Sequence, residues 1–121
     1  MSTDQYPTYV PPFDGNMALP VVWINLTDDE VYEELLRMHD FVQWLTTRYH
    51  LDARVVPDCW PDHGELVEEL SALFGGWCTA FSDASTGSHT LAWHADFATA
   101  RQRLTDWTAR TGCRSNEHRS R

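Results

Sequence analysis

Two short stretches hold the residue types that could do chemistry. In VPDCWPDHGELVEELSALFGGW, from Val56 to Trp77, a cysteine, an aspartate and a histidine (Cys59, Asp62 and His63) fall within five residues. In LAWHAD, His94 and Asp96 stand two residues apart. Thiolate and imidazole suit zinc, and a histidine with a carboxylate is a common general base. The same letters also spell a helix start, in which Asp62 or His63 caps a following helix with Glu65 at the cap-box spacing, and Cys59 is a small buried hydrophobe. The sequence favours the second reading.

Which residues can meet depends on the elements that carry them. The segment TDDE has the capping-box form, with Thr27 as cap and Glu30 reaching back. Val31, Leu35, Met38, Val42, Leu45 and Tyr49 then follow at spacings of four and three, which places them on one stripe of a helix over about residues 28–50. A second helix, about 62–81, has Leu66, Leu70, Leu73 and Trp77 as its inner face, with Gly75 and Gly76 placed either for a close helix approach or for a kink. The turn-rich SDASTGSHT offers Ser88 as cap of a third helix, about 89–111, carrying Trp93, Phe97, Ala100, Leu104 and Trp107, and Gly112 lies where a left-handed C-terminal glycine belongs.

Residues 1–26 hold four prolines among Tyr6, Tyr9, Phe13 and Trp23, a composition that predicts an extended N-terminal arm. Residues 27–112 form one helical domain, and 113–121 a basic polar tail. The expected fold is all-α, a three-helix antiparallel bundle with the arm across it. Short strands near residues 21–24 and 54–56 are the minor alternative.

This architecture tests the sites by distance. His63 opens the second helix and His94 lies about one turn into the third, so antiparallel neighbours hold them on the order of 20 Å apart. Metal ligation requires about 2.0 to 2.3 Å from each donor, so the two motifs cannot share an ion. An up-down-up order instead gathers His50, Cys59, His63 and Cys113 at one pole, a donor set for zinc without any of the familiar finger or ribbon spacings. His94 and Asp96 point to different faces and form no dyad. GxSxG, HExxH and phosphate-cradling glycine loops are absent, so hydrolase and nucleotide chemistry lack support.

Composition narrows the partners. The formal charge is -9, from 18 acidic and 9 basic side chains, every basic one an arginine. Such a chain repels phosphate, which argues against direct nucleic-acid binding. Residues 101–121 are nevertheless net basic, with six arginines against Asp106 and Glu117, so complementary protein surfaces could be steered to either end. Three cysteines without a CxxC pair imply no disulfide framework, and no signal peptide or membrane span is recognisable; the expectation is a cytoplasmic protein. The six tryptophans read as core, with an aromatic ligand pocket as the alternative.

Taken together, LDARVVPDCWPDHGELVEELSALFGGW, LAWHADFATARQRLTDW and ARTGCRSNEHR resemble a family of small uncharacterised actinobacterial proteins found beside conjugation and type IV secretion-like genes of plasmids and mobile elements. The resemblance covers about residues 48–119 and rests on Cys59, Trp60, His63, Trp77, Trp93 and His94. More distant relatives carry proline after the motif histidine, where this chain has Gly64. The resemblance implies an accessory role in DNA transfer and supplies no activity. The resulting expectation is a non-enzymatic protein without a cofactor that binds another protein. Alternatives are an acidic DNA-mimic inhibitor and a zinc-binding helical protein, and a leftover apolar stripe would allow a homodimer.

Overall fold

The computed structural model describes residues 20–113. Most of the expected arm, and the tail from residue 114 onward, lie outside the described residues. Three long helices carry the fold: α1 (Asp28–Arg48), α2 (Gly64–Ala80) and α3 (Gly87–Thr111). Among the described residues there is no strand; Trp23–Asn25 is a short 3-10 turn, and residues 54–56 are irregular.

Helix α1 begins as its sequence dictates. The Thr27 amide donates to Glu30 Oε1 at 2.9 Å and the Glu30 amide donates to Thr27 Oγ1 at 3.2 Å, so two of the helix's orphan donors are satisfied reciprocally. Asp28, Asp29 and Glu30 place negative charge at the positive end of the macrodipole. The other two starts differ from expectation. A 3-10 turn over Trp60–Asp62, with Pro61 inside it, absorbs Asp62 and delays the start of α2 to Gly64, so the N-cap position falls to His63, the other of the two expected cap residues, with no side-chain cap bond of its own. For α3 the cap is Thr86 rather than Ser88, and the Thr86 amide donates to His89 Nδ1 at 3.1 Å. Gly112 closes α3 at φ 74, the left-handed conformation that glycine adopts without steric cost.

The core is one cluster. Met38, Phe41, Leu45, Leu66, Leu70, Phe74 and Leu104 are fully buried, each contributing about 1.5–3 kcal/mol from the hydrophobic effect. Phe41 stacks on Phe74 with ring centroids 4.6 Å apart, and Trp44 meets Trp77 edge-on at 5.7 Å. A three-residue advance along α1 therefore matches a three-residue advance along α2, so the two helices run in the same sense at their contact. Helix α3 returns antiparallel to α2: Trp93 Nε1 donates to the Leu73 carbonyl at 3.0 Å, while ten residues further on Arg103 makes two bonds of 2.7 and 2.8 Å to the Glu69 carboxylate. Helix α2 passes through Gly75 and Gly76 without ending. At Gly76 a Cβ would stand 3.4 Å from Trp93 Cδ1, an ordinary contact distance, so α3 packs over this glycine without requiring it.

The three-helix, all-α architecture is thus present, and the sense of α1 sets what lies at each pole. Because α1 and α2 ascend together, the chain between them must travel back along the bundle. Tyr49 closes α1 near Trp93 and Phe97, and His50 turns the chain at φ 54. Leu51, Val55, Val56 and Trp60 are then buried in the returning segment, which Thr108 of α3 holds by donating from Oγ1 to the Val55 carbonyl at 3.0 Å. The segment delivers Cys59 to the first turn of α2, beside the end of α3.

Candidate metal centre

Three elements converge where α2 starts and α3 ends. The returning segment brings Cys59, the junction into α2 brings His63 at i+4, and the left-handed turn at Gly112 brings Cys113. Cys59 Sγ lies 3.6 Å and Cys113 Sγ 3.4 Å from the same nitrogen, His63 Nε2. All three donor atoms fall within 4.8 Å of one another. His63 and Cys113 are buried, at 3% and 8% exposure, and Cys59 is half-buried. The Cys113 amide is itself fixed by Thr111 Oγ1 at 3.0 Å, so the thiol at the end of α3 sits on a defined backbone.

These separations are those of thiol–imidazole hydrogen bonds, and they also fit a shared metal ion. Tetrahedral zinc with Zn–S of about 2.3 Å and Zn–N of about 2.05 Å holds its sulfur and nitrogen ligands about 3.6 Å apart. Both sulfur–nitrogen distances fall close to that value. A catalytic thiol needs the opposite of what surrounds Cys59: burial first, then the neighbouring Cys113 thiol, push it up to about 11 from the usual 9.0. Without a cation Cys59 is a neutral thiol at pH 7, which removes the nucleophile from a Cys–His hydrolytic reading. Zn2+ reverses this, because a coordinating thiol is deprotonated by the metal's own charge.

His50 does not join the cluster. It is exposed and stands at the end of α1, which the shared sense of α1 and α2 places at the opposite pole. The other motif, at the start of α3, is far from the cysteines along the length of α2, as the distance argument required. His94 is exposed and makes local bonds, with Nδ1 3.1 Å from the Thr90 carbonyl and Nε2 3.1 Å from the Tyr49 hydroxyl. The carbonyl can only accept, so Nδ1 carries the proton and Tyr49 donates to Nε2. The helical stripe of α1 marks Tyr49 as a core residue, and periodicity gives no signal for its hydroxyl's partner.

The tryptophans mostly serve packing. Trp60, Trp77 and Trp93 are buried and Trp44 and Trp107 half-buried, with Trp93 stacked on Phe97 at 5.3 Å. A groove of about 540 Å³ between α2 and α3 includes Ala72, Gly76, Ala92 and Trp93 in its lining, and among the described residues Trp93 is its one tryptophan, tyrosine or phenylalanine. It lies toward the far end of α2 from the cysteines. No helix among the described residues is long and apolar enough to cross a membrane. No family model, curated protein or solved structure matches the chain.

Proposed function

We propose that the chain is a zinc-binding helical protein in which Cys59, His63 and Cys113 hold one structural Zn2+, and that it acts without a reaction of its own, as an accessory to another protein. The observation that carries the metal reading is the pair of sulfur–nitrogen separations, 3.6 and 3.4 Å, onto one buried imidazole nitrogen. Thiolate with imidazole selects zinc over magnesium or calcium, which take oxygen ligands. Its work would be to clip the returning segment to both ends of the α2–α3 hairpin, where three chain segments meet.

The test is metal content of full-length protein purified without a histidine tag, read by elemental mass spectrometry beside native mass spectrometry. One zinc per chain is expected, lost in Cys59→Ser, His63→Ala and Cys113→Ser. Zinc no higher in the wild type than in Cys59→Ser defeats the reading.

The protein-binding half of the proposal is supported by exposed apolar side chains on an acidic helix. Tyr32 and Leu36, at 63% and 53% exposure, lie one turn apart on α1 among Asp28, Asp29, Glu33 and Asp40. That mixture fits a partner with an apolar centre and a basic rim, in the mobile-element setting that the family resemblance implies. Replacing Tyr32 and Leu36 by serine should abolish partner binding while charge reversal only weakens it; a DNA mimic would show the reverse, with a steep loss in salt. A homodimer through the same face would appear as a doubled mass in light scattering.

A further inference from the structure

The two thiols of the cluster can also bond to each other. The three cysteines of the chain are unequal: Cys78 is buried in the hydrophobic core along α2, whereas Cys59 and Cys113, brought in by two different segments, hold their sulfurs within 4.8 Å of one another beside His63. A disulfide has an S–S distance of about 2.05 Å, so the two sulfurs need to close by no more than about 3 Å. A change between staggered χ1 rotamers swings a cysteine sulfur by about that much. Access differs as well. Cys59 is half-buried and open to a small reagent, while Cys113 is buried beside it. A reachable sulfur with a sheltered one next to it is the arrangement of a redox-sensing and a resolving cysteine.

Resting on the zinc reading above for the metal, we propose that Cys59 and Cys113 form a reversible disulfide when a low-molecular-weight disulfide oxidises them, and that the site gives up its Zn2+ in that step. In the zinc form both sulfurs are thiolates. The Cys59 thiolate attacks one sulfur of the oxidant RSSR, which forms a mixed disulfide and expels one thiolate, RS−. The Cys113 thiolate then attacks the Cys59 sulfur, which forms the Cys59–Cys113 bond and expels a second RS−. Two electrons pass from the two protein sulfurs to the oxidant, and solvent protonates its two halves to thiols.

Zn2+ has no redox chemistry of its own, so the electrons come from sulfur alone. The ion leaves because the thiolate is the metal ligand and a disulfide sulfur carries no charge to hold it; of the three described ligands only His63 remains. The fold need not leave with it. The long-range link that zinc makes joins Cys113 to the returning segment, and the disulfide joins the same two segments. What is given up is the link from Cys59 to His63, which are one turn apart and constrain little. Oxidation thus exchanges one clip for another, and the quantity that changes is bound metal.

The experiment treats full-length, zinc-loaded wild type with oxidised glutathione in the absence of air. Released Zn2+ is read with a weak chromophoric chelator against a control without oxidant. Disulfides are mapped by mass spectrometry after cleavage at arginine and glutamate, which puts Cys59, Cys78 and Cys113 in three different peptides. One Zn2+ should leave for each Cys59–Cys113 disulfide formed, and Cys78 should stay a thiol. A dithiol reductant with fresh Zn2+ should restore the starting state, and the oxidised protein should melt close to the zinc-loaded form. His63→Ala keeps both thiols without the third ligand and should form the same disulfide. A glutathione adduct that persists on Cys59, a bond to Cys78, or zinc retained with both thiols intact overturns the proposal and leaves the zinc reading standing; so does melting of the oxidised form with the chelated one. If wild type never holds zinc, the zinc reading and the release fall together, and the bonds mapped in the same sample decide the pairing by itself.

Discussion

Removing Cys113 should cost the protein most of what the metal contributes, and the size of the loss follows from where the ligands sit. Cys59 and His63 are one turn apart and already local, so linking them constrains little. The link from either to Cys113 closes a loop of about 54 residues, and the chain-entropy relation for such a cross-link gives about 4 kcal/mol at room temperature. For a domain of this size that is a fall in melting temperature of about 15 °C. Thermal unfolding followed by circular dichroism, on zinc-loaded wild type, chelated wild type and Cys113→Ser, measures it. The last two should melt together and well below the first. Cys78→Ser provides the control, because Cys78 is also buried but sits in the hydrophobic core, outside the group of Cys59, His63 and Cys113: its melting point should drop by a similar amount with and without zinc. Identical melting of wild type with zinc and with chelator would refute the reasoning.

Other outcomes follow from the same geometry. In the metal-free protein the Cys59 thiol is pushed up to about 11 from 9.0, so folding favours its neutral form; that contribution is intact below pH 9 and is lost as pH rises from 9 towards 11, when the unfolded chain ionises first. Urea unfolding of chelated protein across this window should show falling stability, and Cys59→Ser should flatten the fall. Phe74→Ala removes a fully buried ring stacked at 4.6 Å on Phe41 and should destabilise by about 3–5 kcal/mol in urea titration. Gly76→Ala places a methyl at ordinary contact distance from Trp93 and gains about 1 kcal/mol of helix propensity, so it should be neutral or stabilising, whereas Gly76→Phe should disturb the Trp93–Leu73 bond and quench or shift tryptophan fluorescence.

What could be read in advance was what depends on neighbours in sequence. Thr27 and Glu30 announce α1 because a capping box is closed within four residues, and the spacing of Met38, Val42 and Leu45 fixes a buried face whatever lies opposite. Helix sense is different: a stripe of period 3.6 looks the same to an ascending or a descending partner, so periodicity could not reveal that α1 and α2 run together. The signal lay in the connection. A mere turn does not need Leu51, Val55, Val56 and Trp60, and a segment this apolar has to be buried along its length. The sense of α1 separates His50 from the cysteines, while the proximity of Cys59, His63 and Cys113 depends only on the α2–α3 hairpin and is legible without it. The N-cap positions of α2 and α3 are set by local detail. Pro61 draws Asp62 into a 3-10 turn, and an imidazole at His89 serves Thr86 as the reach-back acceptor, a role the usual Glu or Gln pattern does not flag.

Helix α1 is not uniformly attached to the rest of the molecule. Its buried residues, Met38, Phe41, Val42 and Leu45, all fall in its second half, whereas the stretch from Asp28 to Leu36 is held chiefly by its capping box and by Val31, Glu34 and Leu35, which are only partly covered. Nine residues of helix with so little tertiary support among the described residues are marginal in water. Amide hydrogen exchange should therefore read as a gradient along a single rod, fast over the first turns and slow from Met38 onward. A partner that grips Tyr32 and Leu36 would erase that gradient, and slowed exchange in the first turns would then report occupancy even where no side chain had been labelled.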